Sequence, residues 1–396
     1  MADTENNKNS NSPAERAQGN APALRFPGFT DPWKKCRLGD YIRIFSGESP
    51  NCVSSKLGII PYYKVEQLNW CEKYLGETPY LSQRGKNILP EGCVVFSKRG
   101  AAILTNKVRM NLFPINIDTN LMGIKADNSF ISDQYLFYFI LRARLSRIAD
   151  TSTIPQINNI HINPITIHVP SLEEQEKITR SLGLLDERIA TQRRLIEDLE
   201  KLKSSIVDRI FSDTKGEVVK FRDILEISTQ RNDGKADYRI LSASQEFGMI
   251  ERKNLDIDIK AEAKSVKTYK RVHPGDYILH LRSFQGGLAF AEVEGICSPA
   301  YTILRPNERL EYGYLKEYFN SSKFIKSLAL VTYGIRDGRS INVDEFLDMN
   351  ISIHHKDKQT EIVKSLSILS DKLRLEKNIL YKYEQQRTYL LNQLFI

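Results

Sequence analysis

The sequence predicts an α+β protein built as an internal repeat: two similar mixed α/β units, each followed by a long coiled-coil helix. Three observations carry this. Between Pro170 and Ser212, apolar residues fall at Ile178, Leu182, Leu185, Ile189, Ile196, Leu199, Ile206 and Ile210, with Gln192 and Lys203 filling the two remaining slots. Steps of four and three give a period near 3.5, the seam of a coiled coil, and a single seam needs a partner. Adding 184 to each position gives a second seam at Ile362, Leu366, Leu369, Leu373, Leu380, Tyr383, Leu390 and Leu394, with the polar slots again polar at Glu376 and Arg387. The same register joins Gln175 to Gln359, Ser181 to Ser365, Glu200 to Glu384, Phe211 to Phe395 and Ile157-Asn158 to Ile341-Asn342. The third observation is at the unit starts, where Leu38, Asp40 and Ile44 answer to Phe221, Asp223 and Ile227 at an offset of 183. A shared register over so long a stretch marks a duplication.

Taken in order, residues 1–23 are polar, rich in Asn, and read as a disordered tail. The first unit spans 24–169. Its strands are suggested within LGIIPYYKV, EGCVVFSK, NLFPINI and NLMGIKA, short β-branched and aromatic runs between turn residues. Asp133 to Ile148 has helical spacing, and NIHINPITIHVP alternates as a strand through Ile160, Ile162, Ile165, Ile167 and Val169. The first long helix follows over 170–213; about 40 residues would span ~60 Å. The second unit, 214–353, repeats the order: strands within YRILSAS, GDYILHLR and YTILRP, a helix from Tyr312 to Leu328, and a closing strand in MNISIHH. Here Tyr314-Leu315 and Tyr318-Phe319 echo Tyr135-Leu136 and Phe139-Ile140. The second long helix covers 354–396.

The 396 residues suffice for two or three domains, and no apolar run approaches the length of a membrane span or a signal-peptide core. Five cysteines (Cys36, Cys52, Cys71, Cys93 and Cys297) without metal-ligand spacing read as free thiols in a reducing cytoplasm. A net charge of +8 suits a polyanion such as nucleic acid.

No catalytic constellation stands out: there is no phosphate-binding GxxxxGK[ST] loop and no HExxH. The histidines (His161, His168, His273, His280, His354 and His355) read as surface or strand residues, with no metal site. Asp256, Asp258 and Lys260 have a spacing that some Mg²⁺ nucleases use, but three such residues recur by chance and alternating charge on an exposed strand explains them. Asn163-Pro164-Ile165 departs from the Asn-Pro-Pro-aromatic loop of base methylation and reads as a strand bend.

The basic loops are the candidate binding elements. In each unit a buried strand runs into arginine and then small residues: Lys98-Arg99 before Gly100-Ala101-Ala102, and Arg282 before Gln285-Gly286-Gly287. Arginine reads guanine edges bidentately and glutamine reads adenine, while small residues let the backbone approach phosphates. The segments TSTIPQIN and YGIRDGRSIN, before each closing strand, add polar and basic groups. The candidate DNA contacts are Lys98, Arg99, Lys107, Arg282, Gln285, Arg336 and Arg339. The competing readings are arginines that cap a sheet edge and loops fixed by Asn158 and Asn342.

With LRFPGF-x3-W at Leu24–Trp33, LGD at Leu38–Asp40, PSLEEQEKI at Pro170–Ile178 and the domain–helix–domain–helix order, the chain resembles the specificity subunits of type I restriction–modification enzymes. The resemblance covers the chain after its tail; in the second copy, HHKDKQTEIV, only Gln359 and Ile362 keep the helix-start motif. It implies two target-recognition domains on an antiparallel pair of long helices, each reading one half of a split double-stranded DNA site. The helices would set the spacing, about one DNA turn or ~34 Å, and dock two modification (methyltransferase) subunits, with ATP-dependent restriction subunits joining the complex. It implies no catalysis and no cofactor in this chain; S-adenosylmethionine, Mg²⁺ and ATP would serve the partners. The alternatives are a stand-alone DNA-cutting or DNA-modifying enzyme, and a coiled-coil scaffold without a DNA role.

Overall fold

The computed structural model describes residues 21–50, 58–83, 85–151, 154–212, 216–232, 234, 238–244, 247–254, 266–280, 283, 287–333 and 340–396. The chain divides into two compact units, one of residues 1–193 with 379–396 and one of residues 194–378. Each therefore takes one end of each long helix, Leu172–Ile210 and Lys356–Gln393.

In the first unit, strand Lys34–Arg37 pairs antiparallel with closing strand Thr166–Val169, bringing the two ends of the domain together. A 3-10 turn at Leu38–Tyr41 leads into a four-stranded antiparallel sheet, in the order Ile42–Ser46, Leu121–Ala126, Val94–Ser97, Val108–Met110. The central strand is buried on both faces, which is why CVVFS reads as a continuous apolar run rather than an alternating one. Val94 and Phe96 face the cluster that holds helix Asp133–Ala143 and both long helices; Cys93 and Val95 face a second cluster with Tyr63, Leu89 and Ile117.

The second unit repeats this frame. Glu217–Lys220 pairs with Asn350–Ile353, a turn follows at Phe221–Asp223, and the sheet order is Leu225–Ser228, Thr302–Pro306, Tyr277–Leu279, Ala289–Phe290. Tyr277 and Leu279 face the helical cluster, Ile278 the other.

The repeat extends to single hydrogen bonds. Gln175 donates from Nε2 to the Phe130 and Pro170 carbonyls and accepts from Ser132 N. Gln359 does the same with Arg309, His354 and Glu311. Phe395 packs on Tyr135 with ring centroids 4.9 Å apart, and Phe211 on Tyr314 at 5.3 Å. Ser171 starts the first long helix, its Oγ accepting from Glu174 N at 3.3 Å.

The helices run antiparallel. In the first unit Arg193 pairs with Glu384 and Arg387 with Asp186; in the second, Lys377 pairs with Glu200. Seam residues Ile178, Leu182, Leu185, Ile189, Leu366 and Leu373 are buried, while Leu369 and Leu380 are half-buried.

Three local expectations are corrected. The alternating strand from Ile160 begins instead as a helical turn, Asn159–Ile162, leaving Ile160 73% exposed and only Thr166–Val169 in the sheet. Asn158 starts that turn: its N–H donates to His161 Nδ1 at 3.0 Å, a local bond that competes with the sheet ladder. The helix from Tyr312 to Leu328 is two short pieces, Lys316–Phe319 and Ser322–Leu328. Gly313 at φ +76° precedes the first, and Ser321 starts the second by accepting from Phe324 N. The helix from Asp133 to Ile148 breaks at Arg144, whose φ is +60°.

Candidate nucleic-acid interface

The first unit joins two distant sequence segments into one rim. Strand Val94–Ser97 ends at Lys98, whose N–H donates to the Asn120 carbonyl at 2.9 Å and whose carbonyl accepts from Ile157 N at 2.9 Å. Arg99 bridges Gln156, and Gly100 N donates to the Pro155 carbonyl at 2.8 Å. The arginine turn and the TSTIPQIN segment are thus hydrogen-bonded neighbours. Ser152 and Thr153 lie outside the described residues.

Gly100 sits at φ +79°, ψ −170°, a conformation open essentially to glycine alone. A Cβ there would meet nothing within 4 Å, so the glycine serves the backbone and leaves open space beside it. Arg99 is exposed and has no carboxylate partner among the described residues. Lys98 is half-buried; burial, and then the neighbouring Arg99 charge, push its ammonium pKa down against the pull of Asp118. Lys107 donates to Asn69 Oδ1.

Sequence reasoning passed over two further cations. Arg144 and Arg147 are exposed and without carboxylate partners among the described residues. They belong to the broken helix end that runs into Asp150, whose N–H donates to the Gln156 carbonyl at 2.9 Å. Asn106 fixes that break: its Nδ2 donates to the Leu141 carbonyl and its Oδ1 accepts from Leu145 N. The only sequence signal was the charge of ILRARLSRI itself. Lys98, Arg99, Arg144 and Arg147 stand on segments joined by the Arg99–Gln156 and Asp150–Gln156 pairings, and cations of this kind suit contact with phosphate.

In the second unit Arg282, Gln285, Arg336 and Arg339 lie outside the described residues, as do Asp256, Asp258 and Lys260. Gly287, read as a small residue open to phosphate, has another cause: a Cβ there would lie 2.1 Å from the Phe319 carbonyl oxygen, so close packing requires the glycine. Asn342 caps helix Val343–Leu347, accepting from Asp344 N and Glu345 N, which fixes the end of the YGIRDGRSIN segment.

His354 Nδ1 lies 2.7 Å from Tyr314 Oη, and burial beside Lys35 lowers the pKa of His168. Among the described residues, no group of three His, Cys, Asp or Glu side chains converges to hold a metal, and no helix is long and apolar enough to cross a membrane.

The family described as type I restriction modification DNA specificity domain matches residues 30–201. The specificity subunit of type I restriction enzyme MjaVIII from Methanocaldococcus jannaschii is 24% identical, over 94% of this chain and 93% of its own. The S subunit of a type I restriction–modification system from M. genitalium has a similar fold, with TM-score 0.56 at 14% identity over 95% of this chain and 99% of that one. A chain from a structure addressing complex assembly and conformational transition of the type I system gives 0.57 at 17% identity, over 94% and 98%. Duplicated frame, antiparallel helices and specificity-domain match agree: the chain is similar over nearly its whole length to type I restriction–modification specificity subunits, and its residues 30–201 match their DNA specificity domain.

Proposed function

We propose that this chain is the DNA-reading subunit of a type I restriction–modification complex, each recognition domain reading one half of a split site. The observation that carries this is a shared frame with different edges. Sheet order, closing strand and helix contacts recur between the units, whereas the residues after the central strand differ: Lys98-Arg99-Gly100 in one, Arg282 to Gly287 in the other. Two readers on one scaffold need identical frames and distinct reading loops.

In this reading Arg99 contacts a base edge, and Lys98, Lys107, Arg144 and Arg147 contact phosphates; Arg282, Gln285, Arg336 and Arg339 are their counterparts in the second half-site. The helices act as spacer and as the dock for two modification subunits, with restriction subunits joining the complex. Exposed apolar residues on the outer faces of the helices, Leu184, Leu195 and Leu202 on one and Ile368, Leu375 and Tyr389 on the other, support that docking. The chain itself is non-catalytic and works in the cytoplasm; S-adenosylmethionine, Mg²⁺ and ATP serve the partner subunits.

The test is DNA binding by the complex with each half-site varied in turn. Arg99→Ala should weaken binding by about 1–3 kcal/mol and relax preference in one half-site only. Equal loss at both halves would refute the assignment of one domain to each half.

A further inference from the structure

Two of the polar slots that interrupt the seams, Lys203 and Arg387, belong to polar clusters that reach the recognition domains. In the first unit, Arg387 Nε lies 2.5 Å from Asp186 Oδ1, and the other carboxylate oxygen accepts from Tyr138 Oη at 2.7 Å. Lys73 completes the cluster, its Nζ donating to Tyr138 Oη at 3.0 Å. In the second unit, Lys203 Nζ lies 2.7 Å from Glu317 Oε2, and Ser370 Oγ donates to Glu317 Oε1 at 3.1 Å.

These are equivalent places. The 184-residue register carries Asp186 to Ser370 and Lys203 to Arg387, and the 179-residue shift that relates Tyr135 to Tyr314 also relates Tyr138 to Glu317. The roles are nevertheless exchanged. In the first unit the carboxylate stands on a long helix and the domain offers a phenol. In the second the domain offers the carboxylate and the helix a hydroxyl. The cation comes from a seam slot in both. All these side chains are at least two-thirds withdrawn from solvent where their exposure bears on the pairs: Arg387 30%, Asp186 15%, Lys203 20% and Glu317 17%. At that burial a wrong partner leaves a charge poorly solvated and unpaired.

We propose that the two clusters are docking keys: positioning side chains that fix how each recognition domain stands on its end of the helix pair, with polarities that assign each domain to its own place. A domain moved to the other place would set Tyr138 against Lys203 and Ser370 without a carboxylate, or Glu317 against Asp186 as a like charge. Exchange of recognition domains between the two places would therefore require the key to be rewritten with them. The consequence for DNA rests on the reading above; the key itself does not.

The second key offers the cleaner cycle, because its charges sum to zero. In the full-length chain, Ser370→Asp places a second carboxylate beside Glu317, and Glu317→Tyr strips Lys203 of its partner. Combined, they rebuild the first key's phenol, carboxylate and cation. Each single change should lower the unfolding midpoint by roughly 2–4 °C, and the double variant should recover most of the loss. If a single variant does not fold, recovery of a cooperatively unfolding chain in the double variant reads the same coupling. A double variant as low as the two losses added, or one that stays unfolded, overturns the key.

Binding to the cognate site, measured at a temperature where all variants are folded, separates positioning from stability. The singles should lose affinity by about tenfold and the double regain it; unchanged affinity in the singles overturns the positioning role. The midpoints are read without DNA, so failure of the DNA-reading proposal and failure of the key are distinguishable.

Discussion

Removing the guanidinium of Arg25 should destabilise the first unit by about 3 kcal/mol, at the lower end of what breaking a buried ion pair costs. Glu174 is the second glutamate of PSLEEQEKI and is 1% exposed. Arg25 grips it bidentately, Nε to Oε1 at 2.8 Å and Nη2 to Oε2 at 2.9 Å, and Trp33 Nε1 adds a bond at 3.2 Å. Arg25→Met keeps the apolar stem and deletes the charge, leaving a buried carboxylate with the Trp33 indole N–H as its donor among the described residues. The opening motif LRFPGF-x3-W and the helix-start motif are thus two halves of one buried contact.

Trp33 reports on that contact directly. The protein has two tryptophans; Trp33 is 2% exposed and Trp70 60% exposed, so a red shift in emission during urea unfolding follows Trp33. A local probe matters here because two units need not unfold together. Arg25→Met combined with Glu174→Gln should cost less than Arg25→Met alone, since a buried amide is less penalised than a buried carboxylate. A loss under about 1 kcal/mol in Arg25→Met, or a double variant as unstable as the single, would show that the carboxylate reaches water once the arginine is gone, and would refute the reasoning.

Three further outcomes are expected. Burial pushes the Cys93 and Cys297 thiols from 9.0 up to about 12 and the Tyr314 and Tyr318 phenols from 10.0 up to about 12. A raised pKa means the folded chain holds protons that the unfolded chain releases. Stability is therefore full below about pH 9 and falls as pH rises toward 12, and Cys93→Ala with Cys297→Ala should flatten the fall in thermal unfolding between pH 8 and 11. Gly287→Ala, at φ +80° and against the Phe319 carbonyl, should cost more stability than Gly100→Ala, which meets only backbone strain of about 1–3 kcal/mol; equal midpoints in calorimetry would contradict the clash. Inserting one heptad into each long helix adds ~10 Å, about three base pairs of rise, and should lengthen the accepted gap between half-sites; an unchanged gap in a methylation map would remove the spacer role.

Periodicity made the long helices and the repeat legible, because heptad spacing and register are local properties that survive the loss of residue identity. The buried central strand was legible for the same reason, since five apolar or small residues in CVVFS have to be covered on both faces. The breaks were not. Gly313, Ser321 and Asn158 override the helix or strand pattern around them, each through one local feature, a left-handed backbone or a cap, that periodicity averages away. The candidate site divides along the same line. Arg99 stood out because it ends a buried strand, but its junction with Pro155 and Gln156 is long-range pairing, and Arg144 and Arg147 joined the rim only once Asn106 had turned the helix.

The seam slots show how far such reading goes before structure is required. Lys203 and Arg387 were visible as matched interruptions, which is a statement about what a coiled coil lacks at those positions. In a pair of helices alone, Lys203 would stand in the seam without its carboxylate, and Arg387 would have only Asp186 of the facing helix. Each reaches a carboxylate held where a recognition domain meets the helices, Glu317 from the domain side and Asp186 from the helix side. At Lys203 the interruption is explained by the third element packed on the seam, and at Arg387 by Asp186 of the partner helix, which Tyr138 of the recognition domain holds in place. A polar slot keeping its polarity between two repeats while exchanging the side of its partner is what a duplicated scaffold requires once its two domains have ceased to be interchangeable.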